Sequence, residues 1–208
     1  MDVDGAAEDG YFRAPPISSD VDTSATFNLS TVYFPKEGDH VLGVIVSKNL
    51  DFYTLDIGGL CEAVLPAVDG FRGATKRNRP NLHEGDVVFC QVTREYPARE
   101  LPTEVSCINA GDMKQWTTKE TYFGQLEDGF MFTVPIPYSY CLSGDRCYVL
   151  EKCAARFKYE IAIGLNGRVW VRSANASDTL HIARYIRMCF GLTLPQMEAL
   201  FTYLDNSP

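Results

Sequence analysis

Between residues 36 and 110 the apolar side chains recur every second residue, in runs too short and too often interrupted for helices. "DHVLGVIVSKN" places Leu42, Val44 and Val46 on one face. "LDFYTLDIGG" sets Tyr53, Leu55 and Ile57 against Phe52, Thr54 and Asp56. "CEAVLPAV" is a third run, stopped by Pro66. "GDVVFCQVTRE" is a fourth, with Val88, Cys90 and Val92 on one face, and "TEVSCIN" is a fifth. A chain patterned this way cannot build a helical layer. It predicts five short antiparallel strands, which suit a small barrel of the OB type.

From residue 115 the period changes. "GFMFTVPI", "KYEIAIG" and "RVWVRSA" read as strands, and "DTLHIARYIRMCF" as a helix with Ile182, Ile186, Cys189 and Phe190 on one side and His181 and Arg184 off it. Ser177 is its expected N-cap. "TLPQMEALFTYL" is a second helix, with Thr193 and Gln196 spaced as a capping box. Two shorter helices, broken at Gly144, are expected between Pro135 and Arg156. A three-stranded sheet with helices on one face makes an α+β domain. The opening 25 residues or so are rich in Asp, Gly, Pro, Ser and Ala and predict a flexible arm, with a short strand between Thr26 and Pro35. The reading is therefore multi-domain: an acidic arm and strand over 1–35, a barrel over 36–112 and an α+β domain over 113–208.

The formal net charge is −8, which by itself argues against a nucleic-acid partner. The charge is uneven, however. Residues 1–35 hold Asp2, Asp4, Glu8, Asp9, Asp20 and Asp22 against Arg13 alone, whereas from Lys114 onward acids and bases are near balance. Seven cysteines, an odd number without a CxxC, suit buried thiols in a reducing compartment, cytosolic or nuclear. No apolar run is long enough to cross a bilayer, and the first 20 residues or so lack a signal-peptide pattern. His40, His83 and His181 fall on three different elements, and no nucleophile, phosphate-loop or metal-ligand spacing appears. The reading is of a chain with no catalytic residue, no metal, no cofactor and no small-molecule substrate.

Three features stand out. "FRGATKRNRPN" concentrates Arg72, Lys76, Arg77 and Arg79 with no acid, in the long connection between the third and fourth strands. On charge alone it is a solvated loop or a weak nuclear-localisation match. On an OB barrel the same loop adjoins the face that binds single strands, and Phe52 would be a stacking platform there or be buried against a neighbouring domain. "GLNG", with Gly164, Asn166 and Gly167, lies between two strands. It reads as a type I′ hairpin with positive φ at Asn166 and Gly167, rather than as a phosphate-clamping glycine loop. Trp170 shares a face with Arg168 and Arg172, opposite Val169 and Val171; such a Trp is an exposed platform or, more commonly, a plug in a domain interface, and the interface is the expectation.

"GDHVLGVIV", "DIGG", "FRGATKRNRPN", "EGDVVFCQV" and "AIGLNGRVWV" together resemble the S1/KH cap subunits of the RNA exosome, over about residues 36–175. The resemblance implies an S1-type OB barrel followed by a KH-like domain, and a noncatalytic, RNA-binding role in 3′–5′ RNA degradation and ribosomal RNA processing. It implies RNase PH-like ring subunits, other cap subunits and single-stranded RNA as partners. The implied location is nucleus, nucleolus and cytoplasm. By the resemblance Lys76, Arg77 and Arg79 face the RNA path, and Gly164, Asn166 and Gly167 are structural. Where an RNA-clamping KH domain carries GXXG, this chain has "YCLSG", with one glycine. A free-standing single-stranded RNA-binding regulator would share the same two folds.

Overall fold

The computed structural model describes residues 32–96, 101–109, 111, 114–118, 121–144 and 146–205. The acidic arm, and the expected strand as far as residue 31, lie outside the described residues. The described chain enters at Tyr33, which forms a parallel bridge to Gly59 and hydrogen-bonds Asp39 through its hydroxyl at 2.5 Å.

Five strands close a barrel: β1 (His40–Lys48), β2 (Phe52–Asp56), β3 (Ala63–Pro66), β4 (Val87–Arg94) and β5 (Thr103–Ser106). They run in the order β1-β2-β3-β5-β4, and β4 returns to β1. Sequence reading expects every pairing to be antiparallel, but β3 and β5 pair in parallel. Parity requires it, because strand direction cannot alternate all the way around a ring of five. Val41, Ile45, Tyr53, Leu55, Ile57, Leu65, Cys90, Val92 and Val105 fill the interior. Gly43 also points inward, and a Cβ there would meet Leu55 Cδ2 at 2.6 Å. The face of β1 carrying Leu42, Val44 and Val46 is therefore the outer one. Along it Leu42 is fully buried, Val44 half-buried and Val46 exposed.

A short strand that sequence reading does not anticipate, β6 (Gly124–Leu126), adds antiparallel to β4. The second sheet follows: β7 (Phe130–Thr133), β8 (Tyr159–Ile163) and β9 (Arg168–Ser173), in the order β7-β9-β8. Between β7 and β8 come α1 (Ile136–Leu142) and α2 (Tyr148–Arg156), and after β9 come α3 (Ala176–Met188) and α4 (Leu194–Asp205). Phe132, Val169 and Val171 turn toward the helices and pack with Leu142, Cys153, Ile182 and Ile186.

Three local expectations need correction. The residue preceding α3 is Asn175, not Ser177, which falls in the first turn; the Thr179 hydroxyl links Ser173 N and Asn175 O instead. Phe190 stays partly exposed because it lies past the last turn of α3, with its ring beside Tyr138 at 5.4 Å. Only half of the capping box forms: Gln196 Oε1 accepts from Thr193 N at 2.9 Å, but the Thr193 hydroxyl turns to the same oxygen.

The sheet's other face meets the barrel. Ala162 and Trp170 pair across β8 and β9 and belong to the barrel's apolar cluster; Trp170 is only 4% exposed. Gly129 lies so close beneath the indole that a Cβ there would meet Trp170 Cε2 at 2.1 Å.

The β8–β9 hairpin locks this contact. Within it only Gly167 has positive φ, +76°, so the type I′ expectation is wrong at Asn166. The loop closes through Gly167 N to Gly164 O and Gly164 N to Arg168 O, as in a turn ending on a left-handed bulge glycine. This frees the Asn166 side chain to reach across the seam. Its Nδ2 donates to Leu42 O at 2.9 Å and Ile57 O at 2.8 Å, and its Oδ1 accepts from Leu42 N at 3.3 Å. Arg168 adds bonds to Asp56 O at 2.5 Å and Asp56 Oδ2 at 2.6 Å.

Asn166→Ala leaves the buried Leu42 N–H and Ile57 carbonyl without their partner, so unfolding stability should fall by about 1–3 kcal/mol in denaturant titration. Trp170→Ala should cost about 3–5 kcal/mol. Burial alone would raise the Asp56 carboxyl, but the Gly58 N–H and Arg168 outweigh it and hold the group below its ordinary value of 3.8. A depressed folded value means that this stabilisation is complete above roughly pH 4 and is lost as pH falls through the folded value. The Asp56→Asn variant should therefore lose less stability between about pH 5 and pH 2 than the parent, as read by thermal unfolding.

Candidate nucleic-acid interface

The basic connection between β3 and β4 is held in place by the β1–β2 hairpin. The Arg79 guanidinium donates to Leu50 O at the hairpin tip, and the Tyr53 hydroxyl donates to Pro80 O. Lys48 Nζ donates to Asn81 Oδ1 at 3.0 Å and Leu82 O at 3.3 Å. The loop closes on itself between Thr75 and Asn78, with Thr75 N to Asn78 O at 2.8 Å and Asn78 N to Thr75 Oγ1 at 3.1 Å. Lys76 and Arg77 form the exposed tip of that turn. Among the described residues neither has an ion-pair partner.

The predicted residues separate accordingly. Lys76, Arg77 and Arg79 come together beside the hairpin that leads into Phe52, which is 37% exposed at the start of β2. Leu50, in the same turn as Asp51, is 77% exposed. Arg72 stands apart at the other foot of the loop, where its Nη2 lies 3.4 Å from Asn109 O and its carbonyl accepts from Trp116 N. Gly164, Asn166, Gly167 and Trp170 lie in the seam. Sequence reading misses Lys48, Asn81 and His83, which extend the loop's surface; Asn81 Nδ2 sits 3.3 Å from His83 Nε2. The signal was available in part, since Lys48 ends β1 and so must stand at the hairpin tip.

This arrangement suits a polyanion. Exposed point charges at a loop tip, beside an exposed aromatic and an exposed aliphatic side chain, can attract backbone phosphate without reading sequence. Among the described residues no group of three or more His, Cys, Asp or Glu side chains converges to hold a metal ion. His40 is packed among Phe89, Tyr122 and Phe123, and burial lowers its pKa against the opposing pull of Asp39. The cysteines are free thiols, and burial pushes Cys90 up to about 12, far from a nucleophile's range. No helix is long and apolar enough to cross a membrane among the described residues.

If Arg79 is the tether, Arg79→Ala should speed amide exchange at Asn78 and Thr75 while changing global stability by no more than about 1.5 kcal/mol. Unchanged exchange in the loop would mean that Tyr53 and Lys48 suffice.

Two family models match: "Exosome complex component RRP40, S1 domain" over residues 33–117 and "KH domain" over residues 129–177. Exosome complex component RRP40 of Saccharomyces cerevisiae is 35% identical over 173 residues, covering 82% of this chain and 69% of that protein. The mouse protein of the same description is 33% identical over 177 residues, 84% of this chain and 61% of its own length. The chain thus spans about three fifths of several of these relatives. The crystal structure of a candidate exosome complex RNA-binding protein superposes with a TM-score of 0.62 at 18% identity. It covers 84% of this chain and 95% of its own, which speaks to the fold alone.

Proposed function

The chain belongs to the family of exosome complex component RRP40, with its S1 and KH domains, and from that premise we propose a noncatalytic RNA-binding cap subunit of an exosome. In this reading it lines the RNA entrance of the 3′–5′ degradation and processing complex, against RNase PH-like ring subunits and other caps, in nucleus, nucleolus and cytoplasm. The observation that carries the reading is the Lys76–Arg77 tip, presented by a loop anchored from below and with no acidic partner among the described residues.

An entrance must attract a strand and still let it slide. A few exposed cations do this, because their pull is local, independent of base identity and readily screened. Phe52 and Leu50 offer a surface on which bases pass. The remaining surfaces, acidic on balance, are free to meet proteins.

Reversing Lys76 and Arg77 together to Glu, with Arg79 left to hold the loop, should weaken RNA binding by the assembled complex to a similar degree for different sequences. The slope of log affinity against log salt should shrink by about 0.7 for each phosphate that is no longer neutralised. An unchanged affinity and slope in fluorescence titrations would remove the loop from the RNA path.

A further inference from the structure

Behind the basic loop the seam between the two domains opens into a cleft of about 520 Å³, within the usual range for small-molecule pockets. Arg168, Trp170 and Arg172 alternate on the barrel-facing side of β9, and their surroundings differ in turn. Arg168 is bonded to Asp56 and Trp170 is packed, but Arg172 reaches the point where the domains part. Directly across on β8 it is paired in register with Glu160. Both line the cleft, both are exposed, and neither side chain has an ion pair or hydrogen bond among the described residues. The opposite wall is built from the foot of the basic loop, Arg72 and Asn81, and from Asn109 and Trp116 of the segment after β5. Trp116 Nε1 is the one buried side-chain polar atom left without a partner among the described residues.

A phosphate would meet Glu160 and Glu127 in this cleft as well as the cations, so the lining does not suit an anion. It suits a flat group that carries donors and acceptors side by side. We propose that the cleft takes one nucleobase of a strand whose backbone is held by Lys76 and Arg77, and that it favours guanine. A carboxylate accepts from the N1–H and N2–H₂ edge of guanine, and an arginine fork donates to its O6 and N7. Uracil offers Glu160 its N3–H alone, between two carbonyl oxygens that repel a carboxylate, and so matches it poorly. Asn81, at the loop's foot, contacts Lys48 on the outer side while also lining the cleft, so the basic loop itself forms one wall of the cleft.

This inference rests on the RNA-binding reading of the loop, and its test separates the two. Fluorescence anisotropy with the full chain would compare oligouridylate with the same oligomer carrying a single guanosine. The guanosine-bearing strand should bind about tenfold more tightly. Glu160→Gln, which keeps the strand and its shape, should abolish that ratio while leaving oligouridylate affinity unchanged. Lys76→Glu with Arg77→Glu should weaken both oligomers and keep the ratio. Equal binding of the two oligomers by the parent, or a ratio that survives Glu160→Gln, overturns the base pocket. Loss of the ratio in Glu160→Gln, beside loop variants that bind normally, keeps the pocket and discards the loop reading.

Discussion

One side chain decides how this chain is assembled. Asn166 saturates Leu42 N and O and Ile57 O from a hairpin more than a hundred residues away in sequence. Those groups sit on the outer side of the barrel, where backbone polar atoms removed from water must find partners. A primary amide offers donor and acceptor together and so completes the edge as a short extra strand would. The pin also fixes direction, because the bonds hold only when the β8–β9 sheet lies with Ala162 and Trp170 against the barrel. Glycine on both sides follows from space. A Cβ on Gly164 would meet Asn166 Oδ1 at 2.2 Å, and one on Gly167 would meet Val134 O at 2.6 Å.

Pinning the domains determines what the KH-like unit has left to offer. Its helical face is consumed by its own core and much of its sheet face by the seam. The loop between α1 and α2 contributes Gly144 alone among the described glycines, so the structure gives no glycine-rich turn there for phosphate. The open polar surface is displaced to the barrel loop and to the end of the sheet where Arg172 and Glu160 emerge. The division of labour is thus a consequence of packing.

Much of this was legible in the sequence, and the failures have definite causes. Alternation located every barrel strand, because a half-buried strand imposes period two on its own residues. It could not reveal the parallel β3–β5 pairing, which is a property of closure and leaves no local mark. It missed β6, whose three residues are too few for a period and whose place is set by pairing with β4. The Val169/Trp170/Val171 alternation implied a two-sided strand. Which side Trp170 faced required a second domain packed there, and the preference of such an aromatic for an interface pointed to that where periodicity could not. At the hairpin, Asn-Gly correctly signalled a turn but gave the wrong type, since local preference for positive φ at Asn166 lost to the three hydrogen bonds its side chain makes elsewhere. Among the basic residues, charge density found the loop but could not separate Arg72, turned toward Asn109, from the tip.

The alternating face of β9 shows how position relative to a single pin sets chemical role. Nearest the pin, Arg168 has its charge matched by Asp56 and its donors by main-chain oxygens, so it fixes geometry and offers nothing to solvent. Two residues on, Trp170 has no charge to place and fills the seam, with Gly129 keeping the chain out of the indole's way. Two residues further the domains have diverged, and Arg172 has a glutamate beside it in register but no bond to it. A twisted sheet laid against a curved barrel must part from it at one end. The same residue type, at equal intervals on the same strand, is structural where the surfaces touch and available where they separate. The basic loop rises from the barrel beside that separation, so its exposed charges and the open polar end of the sheet lie along one edge of the molecule.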